Sequence, residues 1–205
     1  PLFFYLRMVL YYKTHPLLNK LRNNVPLWFA VKFLLLFGVL YAANHVLTGM
    51  LIPGGYYSPW MDEQLDYVSA LRNLVLHGGQ LIVNMFGYET VLSNYKLTVI
   101  GYGGVRMVYS CIGINILCFW VAFVIAFPNT VKSKIGYGIF GLTVITILNM
   151  IRVGALALIR TRPEWRHANI DHHAIFNLVV YAFIFLMMMR MINRITNRDK
   201  ATEAQ

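Results

Sequence analysis

Residues 106–132 read RMVYSCIGINILCFWVAFVIAFPNTVK, and between Arg106 and Lys132 no charged side chain occurs. About 20 predominantly apolar residues suffice for a helix to cross a bilayer, and 111–127 is the apolar heart of this stretch. Three further runs stand on either side of it. Residues 27–47 carry one charge, Lys32; 135–159 carry one, Arg152; 174–189 carry none and end at Arg190, which can snorkel to the headgroups. The pattern predicts an all-α polytopic membrane protein with about four spanning helices.

Composition agrees with that reading. Of 205 residues, 58% are hydrophobic and 13% charged, about half the charged share of a soluble domain. The mean hydropathy is +0.56. A soluble fold of this size leaves too much of its area in water to hide so much apolar surface. The same numbers exclude a disordered chain, a collagen and a disulfide scaffold.

The net charge of +10 raises nucleic-acid binding, and its distribution argues against it. Eleven of the 18 Lys/Arg residues lie between Arg7 and Lys32, at Lys132 and Lys134, or between Arg190 and Lys200. These patches flank apolar runs, as the positive-inside bias requires. The expected partner is the lipid bilayer, with no nucleic acid. The domain reading is a cytoplasmic or interfacial N-terminal arm at 1–26, a membrane domain at 27–192 and a basic cytoplasmic tail at 193–205. Residues 1–12 read as an interfacial helix rather than a cleavable signal peptide.

Placing the basic loops in the cytoplasm sends 48–110 to the outer side. Asp62, Glu63, Asp66 and Glu89 suit that side; Arg160, Arg162 and Arg166 fall there too and become candidate ligands for an acidic substrate or a lipid. Residues 65–86 are apolar yet carry Asp66, Arg72, His77, Gln80 and Asn84. A single crossing there would invert the next span, so the expectation is an outer interfacial helix or a re-entrant one bent at Gly78-Gly79. Three short β-prone runs at 90–92, 96–100 and 105–109, broken by Ser-Asn and Gly-Tyr-Gly-Gly, predict a small β-hairpin leading into Cys111.

An ionisable residue inside a span costs about 2.5–3.5 kcal/mol to insert and is a functional candidate by default. Arg152 is such a residue, and Asn149 lies one turn earlier on the same face. Cys111 opens the second span at the outer surface, where a thiol meets water and neighbouring cations. Cys118, two turns deeper among apolar neighbours, reads as structural. The segment His167-Ala-Asn-Ile-Asp171-His172-His173 is dense in ligands, but nothing completes a tetrahedral metal set. The reading therefore needs no metal and no cofactor, and takes one histidine as acid/base partner to the thiol.

The order Cys111-Ile-Gly113, Asn149-Met-Ile-Arg152 and Asp171-His172-His173-Ala-Ile-Phe-Asn177 resembles the exosortase/archaeosortase family over about residues 65–192. The resemblance implies a cysteine transpeptidase-like protease of the prokaryotic cell (inner) membrane, multi-pass, with its active site on the outer face. Its substrates would be surface proteins bearing a C-terminal motif, a membrane helix and a basic tail. The carry-over makes Cys111 the nucleophile, Arg152 the second catalytic residue and His173 the third, with Asn149, Asp171, His172 and Asn177 in support. His173 is preferred to His172 because an aromatic, Phe176, follows it three positions on. Two rivals stand beside it. A membrane lipid-phosphate phosphatase would use Arg160, His167 and Asp171 but gives Cys111 no role; a non-catalytic membrane subunit would tolerate Cys111→Ala.

Overall fold

The computed structural model describes residues 24–51, 56–162 and 172–203. In chain order the elements are α1 (Val25–Leu51), α2 (Pro59–Leu65), α3 (Tyr67–Met85), β1 (Thr90–Ser93), β2 (Lys96–Val99), β3 (Gly103–Arg106), a 3-10 turn (Tyr109–Cys111), α4 (Ile114–Ala126), α5 (Val131–Arg160) and α6 (His172–Glu203). The fold is mostly helical. α1, α5 and the Asn177–Arg194 part of α6 are long and apolar enough to cross a membrane.

The fourth expected span is shorter than anticipated. α4 has 13 residues, about 20 Å at 1.5 Å per residue, against a hydrocarbon core of about 30 Å. Its start is held back by Gly113, whose φ of 86° is left-handed and admits no helix before Ile114. At its other end Pro128 follows the cap residue Phe127, and the Lys134 ammonium donates to the Ile125 carbonyl at 2.7 Å, a cation at a helix C-terminus.

Aromatic and small residues set the packing. Phe29 meets Phe123 and Phe127, Phe33 meets Phe119, and Phe37 meets Phe119. Positions climb on α1 as they fall on α4, so the two helices are antiparallel. The fully buried Trp120 lies against Gly141 of α5 and donates from Nε1 to the Tyr137 carbonyl at 3.3 Å. Arg194 of α6 donates to the Tyr137 hydroxyl at 3.3 Å. Lys134 and Arg194 therefore share one end of the bundle, hereafter the basic end. The N-terminal arm before residue 24 and the tail at 204–205 lie outside the described residues.

At the opposite end α3 packs along α5, and the bend expected at Gly78-Gly79 is absent: α3 runs unbroken through both glycines. They serve close helix contact instead. A Cβ on Gly79 would sit 2.8 Å from Val153, and one on Gly154 would sit 2.9 Å from Ile82. Small residues that let backbones approach are a common device of membrane helix pairs.

The expected hairpin is a three-stranded antiparallel meander in the order β1-β2-β3. Thr90 pairs with Val99, and Val99 with Gly103. The third strand starts earlier than its β-prone run, because Gly101 and Gly103 make the turn at φ 83° and 105°. Gly104 then crosses close to the Leu97 carbonyl and Thr98, where no larger residue fits. Leu97 and Val99 join Val75, Leu76, Val83, Val153 and Ala157 in one apolar core; Trp120, Phe123, Ile184 and Met191 belong to a second, nearer the basic end.

α5 belongs to both cores, and its exposure changes along its length. Ile135, Ile139, Phe140, Ile147 and Ile151 are exposed, whereas no residue from Arg152 to Ile159 is. The long apolar run thus has two causes. Its first two thirds present apolar side chains to the surroundings, and its last third is covered by α3 and the sheet.

Candidate functional site

Cys111 ends the 3-10 turn between the sheet and α4, half-buried, its backbone N–H bonded to the Val108 carbonyl at 2.9 Å. Arg152 Nη2 stands 3.8 Å from the Cys111 sulfur. The buried Asn149 side chain, one turn earlier on α5, donates from Nδ2 to the carbonyls of Cys111 at 3.1 Å and Ile112 at 2.7 Å. The left-handed Gly113 leaves room for this bracket, since a Cβ there would meet Asn149 Nδ2 at 3.4 Å. One helix face thus fixes both the backbone that carries the thiol and the cation beside it.

A ring of hydroxyls and amides surrounds the turn. Asn44 Nδ2 donates to the Tyr109 hydroxyl at 2.6 Å, Tyr67 donates to Asn44 Oδ1 at 2.9 Å, and Thr48 Oγ1 lies 2.9 Å from the Tyr109 oxygen. Burial pushes the Tyr67 phenol above its ordinary pKa, against the opposing hydrogen bond with Thr48. Asn44 and Asn149 each stand about 28 Å along their helices from the basic end. The polar groups therefore form a layer close to one hydrocarbon thickness from that end. Asn44, Thr48, Tyr67 and Tyr109 are additions to the residues singled out from sequence. The available signal was the pair Asn44 and Thr48, four apart on one helix face.

A cavity of about 160 Å³ opens beside this layer, lined by Asn149, Arg152 and Thr146 of α5, Asn115 of α4, and Asn177 and Tyr181 of α6. It shares Asn115, Ile116 and Tyr181 with an apolar groove of about 410 Å³ walled by Phe37, Phe119, Ile184 and Phe185. A polar pocket thus has a side entrance on an apolar face.

The structure brings together Cys111, Asn149 and Arg152; Asn149 and Arg152 line the cavity with Asn177, and Cys111 adjoins it through Ile112 and Gly113. His172 and His173 stand in the first turn of α6, with position 173 one turn before Asn177; the described part includes their backbone. Asp171, His167 and Arg166 lie outside the described residues. Arg160 and Arg162, both exposed, stand at the far end of α5, with Arg160 about 12 Å along the helix from Arg152, and are not gathered around the thiol. Cys118 is half-buried against the apolar core of the sheet end, and neither cysteine is in a disulfide. Among the described residues no group of three His, Cys, Asp or Glu is placed to hold a metal ion.

The three long apolar helices mark the chain as a membrane protein. Comparison with known family models, curated proteins and solved structures finds no match.

Proposed function

We propose that the chain is an integral membrane cysteine peptidase or transpeptidase that cleaves C-terminal sorting signals of surface proteins at the outer membrane face. The observation that carries this reading is the Arg152 guanidinium 3.8 Å from the Cys111 sulfur, on a turn clamped by Asn149. A thiol beside a fixed cation, where that cation lines a pocket reachable from an apolar face, is the arrangement a nucleophilic cysteine needs. The exosortase-like order of Cys111-x-Gly113, Asn149-x-x-Arg152 and Asp171-His172-His173 supports it independently.

In this mechanism His173 takes the Cys111 proton, and the sulfur adds to a backbone carbonyl of the substrate. Arg152 stabilises the oxyanion as it develops, an effect worth several kcal/mol in a water-poor site. The tetrahedral species collapses, the C–N bond breaks, and the leaving amine receives the proton from His173. An amine or water then opens the thioester. The substrate's own membrane helix would lie in the groove of Phe37, Phe119 and Phe185, with its basic tail at the basic end.

The test is co-expression with a protein carrying a motif, a helix and a basic tail at its C-terminus. Intact enzyme should yield a shortened product, and Cys111→Ala should lower the cleavage rate at least about 100-fold while co-purification of the substrate persists. Cleavage at the normal rate by that variant would end the cysteine mechanism.

A further inference from the structure

A second cavity, of about 420 Å³, lies between the sheet and the ends of α1 and α3. We propose that it binds a phosphate-bearing anion, independently of the thiol chemistry. Its walls include Arg72 and Ser69 of α3, Thr48 of α1, and Tyr95, Arg106 and Tyr109. The turn from Tyr109 to Ile112 separates it from the cavity beside Arg152, since Tyr109 and Ile112 line both.

Arg72 carries the argument. It is only 8% exposed, its guanidinium lies 4.3 Å from the centre of the Tyr95 ring, and Nη2 donates to Ser69 Oγ at 3.0 Å. Nη1 makes a long contact of 3.5 Å to the Asn94 carbonyl. All three partners are neutral, and Arg72 makes no ion pair among the described residues. A buried charge left without a counterion is strongly destabilising, so a site that retains one is built for an anion.

The neighbours add to the positive field. Arg106 lines the cavity from the end of β3, and Lys96 stands directly opposite it in the β2–β3 register. The one carboxylate in the wall, Asp66, accepts the Ser69 backbone N–H at 2.9 Å as the N-cap of α3. The phenols of Tyr95 and Tyr109 complete the titratable groups lining the cavity. A phosphate matches the guanidinium fork, which donates two parallel hydrogen bonds to two of its oxygens.

Height selects the same ligand. Thr48 stands about 35 Å along α1 from Val25, beyond a hydrocarbon core of about 30 Å and within the headgroup zone. A lipid headgroup or free phosphate could supply the group.

The experiment is thermal unfolding of the full-length protein in neutral detergent. One arm adds inorganic phosphate against chloride at equal ionic strength; the other adds a short-chain phosphatidylglycerol against the matching diacylglycerol. A ligand that binds only the folded state raises the midpoint. The exposed Arg106 can be changed without disturbing the core, and Arg106→Gln should raise the concentration needed about tenfold. Lys132→Gln, at the basic end, should keep the full shift. Stabilisation by both probes supports a site open to free phosphate, and stabilisation by the lipid alone supports a headgroup site. Absence of any shift, a shift unchanged in Arg106→Gln, or one equally lost in Lys132→Gln overturns the proposal.

Discussion

Asn149 donates from a single nitrogen to two successive carbonyls, those of Cys111 and Ile112. Replacing it with Leu removes the donor from both carbonyls and leaves that of the buried Ile112 without it, at a cost of about 1–3 kcal/mol. Asn149→Leu should therefore lower the unfolding midpoint in detergent and slow alkylation of Cys111 at neutral pH, because the turn no longer holds the thiol beside Arg152. Wild-type alkylation in a destabilised variant would separate the bracket from the thiol's reactivity. Asn149, Arg152 and Cys111 were legible in the sequence because a polar side chain in an apolar run is costly and stands out. Tyr67 and Tyr109 were not, since phenols pass unremarked near membrane surfaces and their partners on α1 lie far away in the chain.

Glycines decide how the elements meet. A Cβ on Gly141 would enter the Trp120 ring, whereas one on Gly136, five positions earlier on the same helix, would meet nothing within 4 Å. Gly141→Leu should cost about 1–3 kcal/mol through overpacking, and Gly136→Leu should leave the unfolding midpoint within experimental error. Equal midpoints for the two variants would contradict the Trp120 contact. The apolar runs made α1, α5 and α6 readable. The length of α4 was hidden, because hydropathy does not register a left-handed glycine at its start. Gly78-Gly79 read as a bend for a related reason: only the facing Val153 and Gly154 show that the pair serves close approach.

For the molecule as a whole, Lys134 and Arg194 at one end and the sheet at the other define an axis. The positive-inside bias predicts that this axis crosses the membrane with the sheet outside. In a background where Cys111 and Cys118 are Ala, cysteine at the exposed Ser93 should react with an impermeant reagent on intact cells, and cysteine at the exposed Thr130 only after lysis. Labelling of Thr130→Cys on intact cells would reverse the orientation and move the pocket to the cytoplasmic side.

The change in exposure at Ile151, where α3 and the sheet begin to cover α5, also marks how much of that helix is left to face lipid. About 20 residues above Val131, its outward-facing apolar side chains stop, and the polar layer of Asn44, Asn149 and Cys111 begins within a turn or two of that mark. A thicker bilayer would submerge this layer in hydrocarbon or force the helices upright, and a thinner one would strand apolar side chains in water. Membrane thickness thereby becomes a physical variable acting on the pocket, and the protein's preferred lipid environment is written in where one helix stops being greasy on its outside.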